Sequence, residues 1–196
     1  MRTFENRREM IAELVKPGDS VLEIGVFRGD FAKDLLARNP RRLVLCDPWD
    51  GVNVSGDADG NHVEAVDLEQ AYQQLLRTYN GDLRVFLLRG RSPGILSVIP
   101  SESLQFIYID GDHSYQGCKA DLEEAWRLVA PGGWICGHDY EMNAAKTSAV
   151  YDFGVQAAVD EFLAIKKLEL GVKALDGCVS YGFQKPAEFQ GFEWGC

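Results

Sequence analysis

Two short stretches hold a dense set of side chains able to do chemistry, Asp110-Gly-Asp112-His113 and His138-Asp139. Each follows an apolar run, Leu104 to Ile109 and Trp134 to Gly137, that reads as a buried strand. Carboxylates and imidazoles delivered together at strand ends can move protons, hold a cation or orient a polar substrate. Strand tips of one parallel sheet point the same way, so Asp110, Asp112, His113, His138 and Asp139 are expected to line one crevice.

Two more acids share that placement. Glu23 lies near the end of the run Val21-Leu-Glu-Ile, just before Gly25, and supplies a carboxylate for an amine or a hydroxyl. Gly25 and Gly29 bracket a turn that leads into an amphipathic run, Phe31 to Arg38, and glycine there lets backbone N–H groups approach a ligand. Asp47 ends a second apolar run, Leu43 to Cys46, 22 residues past Gly25. In nucleotide-binding sheets an acid at that spacing accepts both ribose hydroxyls, while an Asp before Pro48 can instead cap a turn. Arg91 and Ser92 follow a third run, Arg84 to Leu88, and offer small polar groups to an adenine edge.

The elements that must position these groups read as alternating strands and helices. Phe4 to Val15 is expected to be helical with Met10, Ile11 and Leu14 on one face. Leu68 to Tyr79, Tyr115 to Val129 and a run through Val155, Val159 and Phe162 show the same period. Gly94 to Ile99 is a further candidate helix, and two strands around 171–175 and 179–184 are joined at Asp176-Gly177. Trp49 to His62 reads as irregular, a loop over the substrate mouth, and its Asp57-Ala-Asp-Gly-Asn61 lacks the spacing of a calcium loop. The sum is an α/β sandwich with a largely parallel sheet, folded as a single domain over 1–196 with an N-terminal helix in 1–18 and a tail at 186–196.

Composition bounds the function. Twenty Lys plus Arg against thirty Asp plus Glu give a net charge of −10, and no basic run tracks a phosphate backbone, so no nucleic-acid partner is expected. No apolar segment reaches membrane-spanning length and the first residues lack a signal peptide's apolar core, so a cytoplasmic protein without a membrane partner is expected. Cys46, Cys118, Cys136, Cys178 and Cys196 are widely spaced and odd in number, which suits core packing, with Cys196 a candidate reactive thiol.

Glu-Ile-Gly-Val-Phe-Arg-Gly (23–29), Asp47, Gly90-Arg91-Ser92, Tyr-Ile-Asp-Gly-Asp-His-Ser-Tyr (108–115), Ala-Pro-Gly-Gly (130–133) and Gly-His-Asp-Tyr (137–140) together resemble the class I S-adenosylmethionine-dependent methyltransferases. They are most similar to a small-molecule branch that includes macrocin-type sugar O-methyltransferases. The resemblance implies a Rossmann-like three-layer sandwich whose seven-stranded sheet ends in an antiparallel strand. It implies that Glu23, Gly25 and Gly29 hold the methionine part of S-adenosyl-L-methionine, that Asp47 binds the ribose, and that Arg91 and Ser92 flank the adenine, with Asp110 also beside the cofactor.

By the same resemblance a divalent cation, Mg2+ or Mn2+, would sit on Asp110, His138 and Asp139. His138 stands where related metal-dependent enzymes carry an acid, which leaves open another transition metal, or no metal and a mutually oriented His138–Asp139 pair. His113 or Asp112 would act as base. The acceptor is expected to be a small-molecule hydroxyl, sugar or phenol, with Trp49, Tyr115, Tyr140 and Tyr151 as wall or core. A homodimer through Phe4, residues 140–153 or the aromatics Phe189, Phe192 and Trp194 is open. Two other classes compete. A nicotinamide-dependent dehydrogenase needs Gly-x-Gly-x-x-Gly, which residues 25–29 do not supply. A catalytically silent S-adenosylmethionine-binding protein would gain little from burying so many charges at 110–113 and 138–139.

Overall fold

The apolar runs that precede the candidate acids pair side by side, and everything else packs on them. The computed structural model describes residues 1–56, 63–141 and 153–187. In chain order its elements are β1 (Arg2–Phe4), α1 (Arg7–Leu14), β2 (Ser20–Ile24), α2 (Asp30–Leu36), β3 (Arg42–Asp47), β4 (Val52–Gly56), β5 (Val63–Asp67), α3 (Leu68–Thr78) and β6 (Val85–Arg89). A 3-10 turn (Gly94–Val98), β7 (Leu104–Ile109), α4 (Tyr115–Leu128), β8 (Val129–Gly137), α5 (Val155–Lys166), β9 (Val172–Asp176) and β10 (Cys178–Gln184) follow.

The main sheet has the order β1-β9-β10-β8-β7-β2-β3-β6. Strands β8, β7, β2, β3 and β6 run parallel, and β10 enters antiparallel to β8. The α/β class and the antiparallel last strand stand as expected, but the sheet has eight strands instead of seven. The added one is β1, which lies parallel to the outer edge of β9. Residues 2–4 pair as a strand, so α1 starts at Arg7, where Asn6 accepts from the Glu9 amide and caps it. β8 also starts earlier than Trp134, because Val129 already pairs with Leu104 and the ladder absorbs an irregularity before Phe106 meets Trp134. The segment after Trp49 is not a plain loop. β4 and β5 form a two-stranded antiparallel hairpin, with 57–62 outside the described residues.

Alternation along the strands makes two cores. Leu22, Ile24, Val44, Ile107 and Ile109 face α4 and α5, while Val21, Leu43, Leu45, Phe106 and Tyr108 face α1, α2 and α3. Helices on both faces give three layers. Phe31 of α2 is buried against Tyr108 at 4.4 Å between ring centres, and burial of such a ring contributes about 2–3 kcal/mol. Cys46, Cys118 and Cys136 are buried free thiols within these cores, Cys178 is partly exposed, and Cys196 lies outside the described residues.

Candidate functional site

The carboxyl ends of β2, β3, β6 and β7 open into one cavity of about 760 Å3, within the range of small-molecule sites. Glu23, Gly25, Asp47, Arg91, Ser92, Asp110, Asp112 and His113 all line it. The sequence spacing therefore brought together residues from four separate segments. Gly29 does not line the cavity. Its φ of +77 makes the bend into α2, and a Cβ there would lie 2.5 Å from Leu75 Cδ2, so this glycine serves the approach of α3.

Gly25 has a stricter reason to be glycine. Its φ is +84 and a Cβ would stand 2.0 Å from the Asp110 carbonyl oxygen. The Asp110 amide donates to Ile24 O at 2.7 Å, so the tips of β2 and β7 lie backbone against backbone. Glu23 is 2% exposed, and its Oε2 has no hydrogen-bond partner among the described residues. Burial, with the charge of Asp110 added, raises its pKa well above the carboxylate range. An orphaned acceptor on a cavity wall is the mark of a missing donor.

Asp47 is committed to the protein. Its Oδ2 accepts from the amides of Val26 and Phe27 at 2.9 and 3.0 Å, and its Oδ1 from the Trp49 amide at 2.7 Å. It fixes the glycine turn, whose Phe27 is itself at φ +53. We expect Asp47→Ala to lower the unfolding free energy by about 3 kcal/mol in urea titrations, with Asp47→Asn recovering part of it. Arg91 reaches back to Asp50 with contacts of 3.0 and 2.8 Å. Trp49 is core, with its indole N–H on Phe27 O at 2.9 Å, and Tyr140 is buried with its hydroxyl on Asp160. Tyr115 bonds Glu161, and Tyr151 lies outside the described residues. Of the four aromatics open to a wall or a core role, Trp49 and Tyr140 are core.

At the tips of β7 and β8 four side chains converge. His113 Nε2 stands 3.4 Å from Asp110 Oδ1 and 3.1 Å from Asp139 Oδ2. His138 Nδ1 stands 3.4 Å from the same Asp139 oxygen and 3.8 Å from Asp110 Oδ1. Among the described residues the set with metal-ligand spacing is Asp110, His113 and Asp139, one ligand atom each within 4.8 Å, with His138 beside it through Asp139. Asp139 holds the left-handed backbone at φ +60, a strain that concentrates at functional sites. Burial alone would depress the His113 pKa, but the two carboxylates outweigh it and push it up to about 10. They raise His138 as well. Burial opposes the charge on Asp139, yet the two imidazoles hold it well below the usual carboxylate range. Asp112 is exposed and turned toward α4, where its Oδ1 accepts from the Ser114 amide at 2.9 Å.

One participant carried no sequence signal. Arg7, the first residue of α1, lines the cavity with its guanidinium 4.7 Å above the Phe31 ring and 3.6 Å from Asp110 Oδ2. No local pattern marks it, because only the packing of α1 against α2 brings it there.

Comparison with known proteins agrees with this geometry. Residues 22–140 match the model of a methyltransferase domain family. A Mycobacterium sp. (strain JLS) protein named "Putative O-methyltransferase" is 29% identical over 132 residues, 60% of this chain, and the chain spans 59% of that protein's length. The solved structure of the O-methyltransferase NovP superposes with a TM-score of 0.64 at 25% identity, covering 92% of this chain and 79% of NovP. An O-methyltransferase from Bacillus cereus, solved with SAH, shares the fold at a TM-score of 0.61 and 19% identity, covering 91% of this chain and 78% of that one. The matched segment takes in β2 through the tip of β8, and with it nearly the whole cavity wall. The chain belongs to this methyltransferase family, on the class I S-adenosylmethionine-dependent fold.

Proposed function

We propose that the protein transfers a methyl group from S-adenosyl-L-methionine to a hydroxyl of a small molecule, a sugar or a phenol. The observation that carries this reading is the orphaned Glu23 oxygen in a cavity continuous with the Asp110–His113–Asp139 cluster. The cofactor's ammonium group would satisfy Glu23, the Arg7 guanidinium suits its carboxylate, and Arg91 and Ser92 stand at the adenine end. Asp47 keeps the turn in shape, and any hydroxyl it receives joins the amides already bound. When bound, the cofactor supplies a methyl on a cationic sulfur, open to in-line attack by oxygen, so positioning and partial deprotonation of the acceptor are what the chain must provide.

His113 carries a proton at neutral pH while only the two carboxylates face it, and in that state it is no base. A divalent cation that accepts an imidazole beside two carboxylates, Mn2+ more readily than Mg2+, would be held by Asp110, His113 and Asp139 and would lower the pKa of an acceptor hydroxyl. Asp112, on the cavity wall, is then the proton acceptor. No described helix is long and apolar enough to cross a membrane, and the charge of −10 fits a cytoplasmic enzyme with a small-molecule acceptor better than one that binds nucleic acid.

A thermal-shift titration tests the cofactor assignment. Ligand at a hundredfold its Kd should stabilise the metal-stripped protein by about 2.7 kcal/mol. We expect a shift with S-adenosylhomocysteine, enlarged by Mg2+ or Mn2+, and none with NADH; the reverse would overturn the reading. Glu23→Gln should weaken S-adenosylhomocysteine about 30-fold while leaving the ligand-free Tm no lower, because the buried ionisable group is gone.

A further inference from the structure

Behind the cavity wall lies a second buried acid that none of the above uses. Asp121, on the inward face of α4, is 1% exposed, and neither carboxylate oxygen completes a hydrogen bond among the described residues. A Cβ on Gly111 would lie 3.4 Å from its Oδ2 and equally close to Ile24. Its charge is felt at the Cys46 thiol, and the Ser92 hydroxyl offsets part of its burial. Ile24, Cys46, Ser92 and Gly111 all line the cavity, so Asp121 stands one layer behind the wall shared by the tips of β2, β3, β6 and β7. A buried carboxyl left this poorly partnered is costly, and a purely structural position would be better filled by leucine.

We infer that Asp121 is a positioning residue for the ligand's base: when the ligand is seated, the Ser92 hydroxyl turns its single hydrogen to the unpartnered Asp121 carboxylate and leaves only oxygen lone pairs facing the cavity. The inference rests on the S-adenosylmethionine reading. A carboxylate only accepts hydrogen bonds, and a hydroxyl has one hydrogen to give. With that hydrogen held by Asp121, Ser92 can only accept from the ligand. The exocyclic amino group of adenine satisfies it, whereas the 6-oxo group of hypoxanthine places lone pair against lone pair. Asp121 thus selects a 6-amino purine over a 6-oxo purine without touching either.

The test compares S-adenosylhomocysteine with its deaminated analogue S-inosylhomocysteine by calorimetric titration. The two ligands differ only at the base, so damage to the fold or to the amino-acid end weakens both and leaves their ratio unchanged. Wild type should prefer the adenine ligand by roughly 50-fold, the scale of one mismatched buried hydrogen bond. Asp121→Asn, whose amide can donate as well as accept, should narrow that preference about tenfold. Ser92→Ala should narrow it alike, and adding Asp121→Asn to Ser92→Ala should change nothing further.

A pH series gives an independent readout. Burial, with the charge of Asp112 added, raises the Asp121 pKa to about 6. The other titratable groups facing it are Cys46 from β3, Cys118 from its own helix and Tyr181 from β10. Burial pushes both thiols up to about 12 and raises the phenol well above its ordinary value, so they remain neutral from pH 5 to 8. Over that range the wild-type preference should widen as Asp121 ionises, and the Asp121→Asn preference should stay flat. An unchanged ratio in Asp121→Asn, or a narrowing that persists in the Ser92→Ala background, overturns the inference while the cofactor assignment stands. If wild type binds neither ligand, the cofactor assignment falls and this inference falls with it.

Discussion

Gly25→Ala is expected to destroy the cofactor site together with much of the protein's stability. A Cβ at this position would lie 2.0 Å from the Asp110 carbonyl oxygen, 2.4 Å from its carbon and 2.7 Å from the Gly111 amide nitrogen. All three are backbone atoms of the β7 tip, which is pinned to β2 on one side and β8 on the other, so no rotamer change relieves the clash. The residue also sits at φ +84, which costs an alanine on the order of 1 kcal/mol before any contact is counted. Together these should lower the unfolding free energy by about 4 kcal/mol and Tm by roughly 10 °C, and the S-adenosylhomocysteine shift should vanish. Gly29→Ala is the control. There the obstacle is Leu75 Cδ2 at 2.5 Å, the far end of a side chain on α3, and the residue does not line the cavity. It should keep ligand affinity within fivefold, and adding Leu75→Ala should cost less than the sum of the two single changes. Equal loss of binding in both glycine variants would show that the turn, and not the contact between β2 and β7, sets the site.

That contrast also marks what could be read from the residues and what could not. Apolar runs ending in an acid are visible in sequence, because a buried parallel strand is nearly continuous in hydrophobicity and its tip is where polarity returns. Glu23, Asp47 and Asp110 were found that way. The reason for Gly29 was not, since Leu75 reaches it only through packing of α3. The hairpin of β4 and β5 was hidden by glycine and aspartate between its arms, although Val52 and Val54 keep a strand's alternation. β1 was missed because three residues carry too little pattern to oppose a helix beside them. The employment of Asp47 depended on where the Val26 and Phe27 amides point, and residue types do not encode amide direction. That His113 joins Asp110 and Asp139 in one cluster was likewise illegible. His113 and His138 both follow a strand, and only the bend after Asp110 swings His113 over to within 3.1 Å of Asp139.

Asp139→Asn should dissolve that cluster, with consequences for proton, cation and catalysis at once. In the metal-stripped protein His113 is charged between two carboxylates, with a pKa of about 10 against 6.5 for a free imidazole. A histidine whose folded pKa is raised contributes stability that is fully present below about pH 6.5 and is lost as pH rises through the folded value. Wild-type Tm should therefore fall between pH 7 and 10 more steeply than that of Asp139→Asn, and the His113 ring resonances, followed by NMR among only three histidines, should titrate at a much lower pH in the variant. Cation binding competes with the same proton, so Mn2+ affinity in wild type should rise by up to tenfold per pH unit over that range, a slope the variant loses along with most of the affinity. Turnover with an acceptor found by screening sugars and phenols should drop by about 10²–10³-fold, as expected for loss of a group that stabilises charge on the reacting oxygen. S-adenosylhomocysteine should bind within threefold of wild type, because Asp139 lies beyond the cavity wall that Glu23, Asp47 and Ser92 form. If turnover survives without added metal while the His113 titration still moves, the cluster works as an imidazolium held by two carboxylates. The acceptor is then oriented by His113 itself, with Asp112 unchanged as the group that takes its proton.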